Sequence, residues 1–232
     1  GNLNAPRAVA TAALLYVLRC LIDAPIPLNE GSLSPFALIV SRDGLFDPRP
    51  PAAVAGGNVE TSQRLVDALL RALGALAASQ GTMNNLTVGT PEGAFYETLG
   101  GGSGAGPTFD GASAVQVHMT NTRATDVEEL EARFPVRLAQ WSVRSGSGGS
   151  GTHRGGDGMV KVWVFLAPAE VALMAGRRDR GASGLRGGQS GAPGVDERDL
   201  GAGWEPAPAR WTAKPGDRFR IATPGGGGFG EP

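Results

Sequence analysis

With 232 residues, 41% of them hydrophobic and 19% charged, the chain can build a core and is not a disordered tail. Its net charge is −1 and its one basic run is Arg177-Arg178-Asp179-Arg180, which excludes a nucleic-acid footprint. Cys20 is the single cysteine, so no internal disulfide forms, a reducing, cytoplasmic setting is expected, and the thiol is assigned to the core.

In chain order, Pro6 suits the first turn of a helix whose apolar face is Val9, Ala13, Val17 and Leu21, with Leu14 and Leu18 between. Arg19 interrupts the apolar run 8–22, which is shorter than the ~20 residues that cross a bilayer. No charged-then-apolar leader precedes it, so neither an anchor nor a signal peptide is expected. Residues 36–41 (FALIVS) read as a strand entering the Asp43-Gly44 turn. A second helix is predicted over 59–78, with Asn58 as its N-cap and Val66, Leu69, Leu73, Leu76 and Ala77 as its buried stripe. Gly74, in its middle, points to close packing against a neighbour.

After Gly81 the pattern turns to strands, expected near 82–88, 94–98, 113–119, 136–144, 159–166, 169–175 and 217–222. Residues 126–134 fit a short helix starting at Thr125 or Asp126, since Thr125 and Glu128 have capping-box spacing. Residues 176–210 lack periodicity and read as loop. The order gives an α+β fold: two N-terminal helices packed on a β-rich, glycine-rich C-terminal region. Glycine supplies 37 residues, clustered at 100–106, 146–158, 181–194 and 225–230. Such clusters between apolar segments mark tight turns and close backbone approach.

Familiar cofactor motifs are missing. GSGGSG (146–151) has the spacing of a dinucleotide loop but is followed by a strand, so no helix N-terminus is present to hold a phosphate. The two lysines, Lys161 and Lys214, do not complete a P-loop, which places the main elements of any ATP site outside this chain. His118 and His153 have no second His or Cys at ligand spacing, so no metal site is expected within the chain. The Asn85 sequon is read as coincidence, and there is no G-x-S-x-G elbow.

Polar clusters carry more. NVETSQR (58–64) opens the second helix, SQGTMNNLTVG (79–89) follows it, and FYETLGGGSGAGP (95–107) sets Glu97 ahead of a glycine loop. VQVHMTNTRATD (115–126) strings together His118, Asn121 and Arg123. Each alone fits polar turn chemistry; together they supply the groups that a small polar amide or carboxylate needs. Alternation sets His118 opposite Val115, Val117 and Met119. An unperturbed imidazole titrates near 6.5, which suits it to move a proton or orient a carbonyl, with Glu97 as the carboxylate partner. Arg123 is the candidate for a bidentate pair with a substrate carboxylate.

The stretches GNLNAP, PAAVAGGNVETSQR, AASQGTMNNLTVG, YETLGGGSGAGP, VHMTNTRATDVEELEARFPV, GSGGSGTHRGGDG and TPGGGGFGEP together resemble the hydantoinase B/5-oxoprolinase family, in order and over essentially the whole chain. The resemblance implies an ATP-dependent machine that opens cyclic amides such as 5-oxoproline or N-methylhydantoin by phosphorylating the substrate carbonyl. A hydantoinase A-type partner would hold ATP and Mg. This chain is similar to the C-terminal portion of a B-type subunit, helix-rich over 1–80 and β-rich over 81–232, and a metal site belongs to the N-terminal half of that subunit. His118 and Glu97 are then candidate catalytic residues, and Asn84, Asn85, Asn121 and Arg123 candidate substrate ligands, with Asn84 and Asn85 at a pocket floor. Relatives often carry Cys where Ser32 and Thr82 stand and a second imidazole where Gln116 stands, so neither a thiol nor a paired-histidine role carries over. A non-catalytic assembly module and a part of a related ketone carboxylase are the alternatives.

Overall fold

The computed structural model describes residues 2–27 and 29–232. Helices α1 (Arg7–Leu21) and α2 (Ser62–Ala72) come first, and a short α3 (Val127–Arg133) follows later. The strands are β1 (Asn85–Thr90), β2 (Gly93–Glu97), β3 (Val136–Arg144), β4 (Gly158–Phe165), β5 (Ala169–Met174), β6 (Val195–Asp199), β7 (Trp204–Pro206), β8 (Arg210–Ala213) and β9 (Arg218–Ala222). They form two antiparallel sheets, ordered β2-β1-β5-β8 and β3-β4-β9-β6-β7. The fold is α+β.

The main core includes Leu86, Val88 and Val171 from the four-stranded sheet and Trp163, Phe165, Phe219 and Ile221 from the five-stranded one. Trp211 of β8 meets Phe165 and Phe219 edge-on, with ring centroids 5.8 Å apart in both pairs, so aromatic contacts tie the two sheets together. A second cluster joins the helices, with Ala13 and Val17 of α1 against Val66 and Leu70 of α2. The Asp126 side chain accepts from the Glu128 and Glu129 amides and caps α3.

Several expectations need correction. Residues 36–41 form no strand, and Ile39 is 91% exposed. The second helix stops at Ala72 because Gly74, at φ +68°, is its left-handed terminator: Ala75 N–H donates to Leu70 O and Gly74 N–H to Arg71 O, both at 2.9 Å. Leu73 is therefore exposed, and residues 77–84 run on as a buried segment outside helix and strand, turning at Gly81 and Asn84, both at positive φ. A π-helical turn, Gly57–Thr61, precedes α2 and contains Asn58, the residue assigned as its cap. Residues 113–119 contribute one bridge, Gly101 to Val115, and no strand. Three strands, β6 to β8, lie wholly or partly where loop was expected, Leu21 is exposed, and Cys20 is exposed, not core.

The glycine clusters converge. Segments 77–80, 101–105, 147–156, 181–192 and 224–230 lie side by side and bond through their backbones: Gly156 N–H to Ser103 O (2.9 Å), Gly226 N–H to Gly156 O (2.8 Å), Gly149 N–H to Gly226 O (2.9 Å) and Gly227 N–H to Ala78 O (2.8 Å). Separation is too small for side chains. A Cβ on Gly102 would stand 2.0 Å from Gly156 O, and one on Gly226 1.9 Å from Ser103 O. This glycine array sits against the residues that follow α2 and helps wall the site described next.

Candidate functional site

The helix pair presents Tyr16 from α1 and Asp67 from α2 to the 115–119 segment. Gln63, fully buried one turn before Asp67, grips that segment on both sides of His118: its Nε2 donates to Val117 O at 3.0 Å and its Oε1 accepts from Met119 N–H at 3.5 Å. His118 is held at φ +54°, a left-handed conformation uncommon for a non-glycine residue and one that persists only where surroundings enforce it.

His118 Nε2 lies 3.1 Å from Asp67 Oδ1, and both side chains are almost wholly buried. Asp67 also accepts from Ser79 N–H at 2.9 Å and, on Oδ2, from Arg177 Nη2 at 2.9 Å. Two donors besides the imidazole therefore fix the carboxylate, the arrangement that orients a working histidine. The Tyr16 hydroxyl faces His118 Nδ1 at 3.5 Å, and the rings meet edge-on at 5.8 Å. Burial, reinforced by the neighbouring Cys20 thiol, pushes the Tyr16 phenol well above its ordinary range. Tyr16, Cys20, Gln116 and His118 line one open cavity of about 530 Å3, whose other walls include Leu70, Leu76, Phe109 and Val117.

Glu97, expected beside His118, lies elsewhere. It is buried and bonds Lys161 Nζ through both oxygens, at 2.6 and 2.8 Å, while the ammonium also lies over the Trp141 and Trp163 rings at 4.7 and 5.3 Å. Burial lowers the Lys161 pKa and the Glu97 charge opposes that shift. Asn84 and Asn85 are buried, as expected of groups that are not a solvated loop, and protein partners occupy both. Asn84 Nδ2 donates to Gln80 Oε1 (2.8 Å) and Leu99 O (3.1 Å), and its Oδ1 accepts from Arg178 Nη1 (2.7 Å). Asn85 Nδ2 donates to Glu60 Oε1 (3.0 Å) and Met174 O (2.8 Å), and its Oδ1 accepts from Tyr96 OH (2.6 Å). Asn121 and Arg123 are exposed beyond His118 and do not line its cavity.

Sequence reasoning missed Asp67, Gln63 and Tyr16. A signal existed: Gln63 and Asp67 are polar residues one turn apart, interleaved with the apolar stripe of Val66 and Leu70. Among the described residues, no three His, Cys, Asp or Glu side chains stand close enough to hold a metal ion, and no helix is long and apolar enough to cross a membrane.

Glu60, in the π-helical turn, is buried and accepts from Thr82 Oγ1 (2.8 Å), Met83 N–H (3.2 Å) and Asn85. Burial raises its pKa above the ordinary carboxylate range, against the pull of these donors and Arg64. A carboxyl whose folded pKa is raised stabilises the fold fully below its unfolded pKa of about 4.3, and that contribution is lost as pH climbs through the folded value. Urea unfolding across pH 4 to 8 is therefore expected to show Glu60→Gln gaining on the wild type as pH rises. Parallel pH curves would contradict this.

The profile of the hydantoinase B/oxoprolinase family matches residues 1–232. The chain is 48% identical to 5-oxoprolinase 1 of Arabidopsis thaliana and 44% identical to 5-oxoprolinase of Dictyostelium discoideum, over 99% and 100% of its length, but spans 18% of each of those proteins. The crystal structure of an ATP-dependent caprolactamase from Pseudomonas jessenii matches with a TM-score of 0.81 at 25% identity, over 95% of this chain and 42% of that one. Nucleotide-free acetone carboxylase matches with a TM-score of 0.80 at 17% identity, over 99% of this chain and 38% of that one, a likeness of fold alone. In sequence and in fold, the chain belongs to the hydantoinase B/oxoprolinase family.

Proposed function

We propose that the chain is the substrate-side part of an ATP-dependent cyclic-amide hydrolase of the 5-oxoprolinase or N-methylhydantoinase type, working in the cytoplasm. It acts with the N-terminal half of a B-type subunit, which carries any metal ion, and with a hydantoinase A-type partner that binds ATP and Mg. The observation that carries this reading is His118 at the wall of the 530 Å3 cavity with the Asp67 carboxylate behind it, in a chain whose relatives are named for opening a lactam. ATP does not fit the glycine-rich stretch here. Gly148 N–H is spent on Asp157 and Gly149 N–H on Gly226 O, so these two amides are not available to cradle a phosphate.

His118 is the acid–base residue, and the proton it takes up is stabilised by the Asp67 carboxylate. Arg123 and Asn121, exposed on the stretch that leaves His118 and outside the cavity lining, are assigned to a substrate carboxylate that projects from the cavity. Asn84, Asn85 and Glu97, whose bonds are satisfied within the protein, act by holding the surroundings of the site rigid. In the full-length protein with its partner, His118→Ala is expected to lower ATP-dependent opening of 5-oxoproline by ~100-fold or more while assembly is retained. Unchanged turnover would favour the assembly-module reading, to which the internal pairing of those three residues gives its support.

A further inference from the structure

Both ring nitrogens of His118 face protein groups. Asp67 Oδ1 stands 3.1 Å from Nε2, and an ionised carboxylate can only accept, so Nε2 bears the proton of the neutral ring. Nδ1 is then the acceptor, and the group before it is the Tyr16 hydroxyl at 3.5 Å. A ligand in the cavity finds no vacant nitrogen on His118. It does find the phenol, which lines the same cavity and retains lone pairs on its oxygen.

From this geometry we infer that Tyr16 is the catalytic residue that touches the substrate, and that His118, held by Asp67, is the base behind it. The inference rests on the reading that this cavity receives a cyclic amide. Tyr16 and His118 lie far apart in sequence, and the packing of α1 on α2 is what brings them together. The hydrogen bond is at the long end of the range, as catalytic contacts often are before substrate tightens them.

As the oxygen of a water bonds to the substrate's carbonyl carbon, the C=O π pair moves onto the carbonyl oxygen, one of the water's protons passes to the Tyr16 oxygen and the Tyr16 proton passes to His118 Nδ1. The imidazolium then faces the Asp67 carboxylate. When the oxygen's pair re-forms the C=O bond, the ring C–N bond breaks with its electron pair on nitrogen, and the proton returns along the same path, from His118 to Tyr16 and from Tyr16 to the leaving nitrogen. The phenol ends as it began. Its raised pKa agrees with a group that passes protons without standing as a phenolate.

Tyr16→Phe isolates the hydroxyl, because the edge-on ring contact with His118 is kept. In the full-length protein with its partner, we expect kcat for 5-oxoproline to fall ~100-fold with KM held within about threefold and an unchanged melting temperature. The double variant Tyr16→Phe/His118→Ala should be no slower than the slower single, since the two residues act as a unit. Full turnover in Tyr16→Phe beside a slow His118→Ala would overturn the inference and leave the wider reading standing. So would losses that multiply in the double variant. Full turnover in both single variants, or a wild-type protein inert toward 5-oxoproline, hydantoin and caprolactam, would sink the wider reading and this inference with it.

Discussion

Gly156→Ala is expected to destabilise the protein by ~4–5 kcal/mol or more, enough to unfold a domain of ordinary stability. Its Cβ would stand 1.9 Å from Ala112 O and 2.5 Å from the carbonyl carbon of that residue, and neither backbone atom can rotate away. Ala112 O also accepts from Ser103 N–H, and Gly156 bonds both Ser103 and Gly226, so the three segments would have to separate together. Gly89→Ala is the matched control: in β1 the nearest atom to its new Cβ is Glu170 Cβ at 4.0 Å, an ordinary contact. That substitution should change stability by less than ~1 kcal/mol. Urea denaturation of both variants tests the contrast. Equal midpoints would show that the array tolerates side chains after all.

Removing the Lys161 ammonium should cost nearly as much. Lys161→Met leaves the Glu97 carboxylate buried without its cation, and breaking such a pair costs ~3–5 kcal/mol. The Trp141 and Trp163 faces lose the charge they flank as well. Adding Glu97→Gln removes the stranded charge, so the double variant is expected to recover most of the loss. A double-mutant cycle by chemical denaturation measures the coupling directly. Additive losses would mean that the two groups are stabilised by their surroundings and not by each other.

Elements governed by local rules were legible in the sequence. The first helix, α3 and strands β3, β4, β5 and β9 lie close to where periodicity and caps set them. The apolar pattern of the second helix continues through Leu76 and Ala77, past its true end before Gly74, because other segments cover those two residues. Strand β6 was illegible because VDERD reads as surface. Its charges are matched by Arg218, Arg220 and Glu205 on other strands and by Arg178 on the preceding loop. The site divides in the same way. His118 stood out as one of two histidines, but its carboxylate came from α2, whereas Glu97, nearer in sequence, was claimed by Lys161. Which of two acids meets a given base depends on helix packing, and no local pattern encodes that.

The glycine array also divides the molecule thermally. The sandwich core is hydrocarbon and aromatic, and its exposure on unfolding raises the heat capacity. The array is made largely of peptide groups packed against peptide groups, and exposing polar surface lowers the heat capacity. The two layers therefore pull the curvature of the stability curve in opposite directions. Hydrophobic stabilisation in the sandwich weakens on cooling, while the array, held by backbone hydrogen bonds, has little of that term to lose. The array, one wall of the cavity, is thus the part of the fold whose hold depends least on the hydrophobic effect.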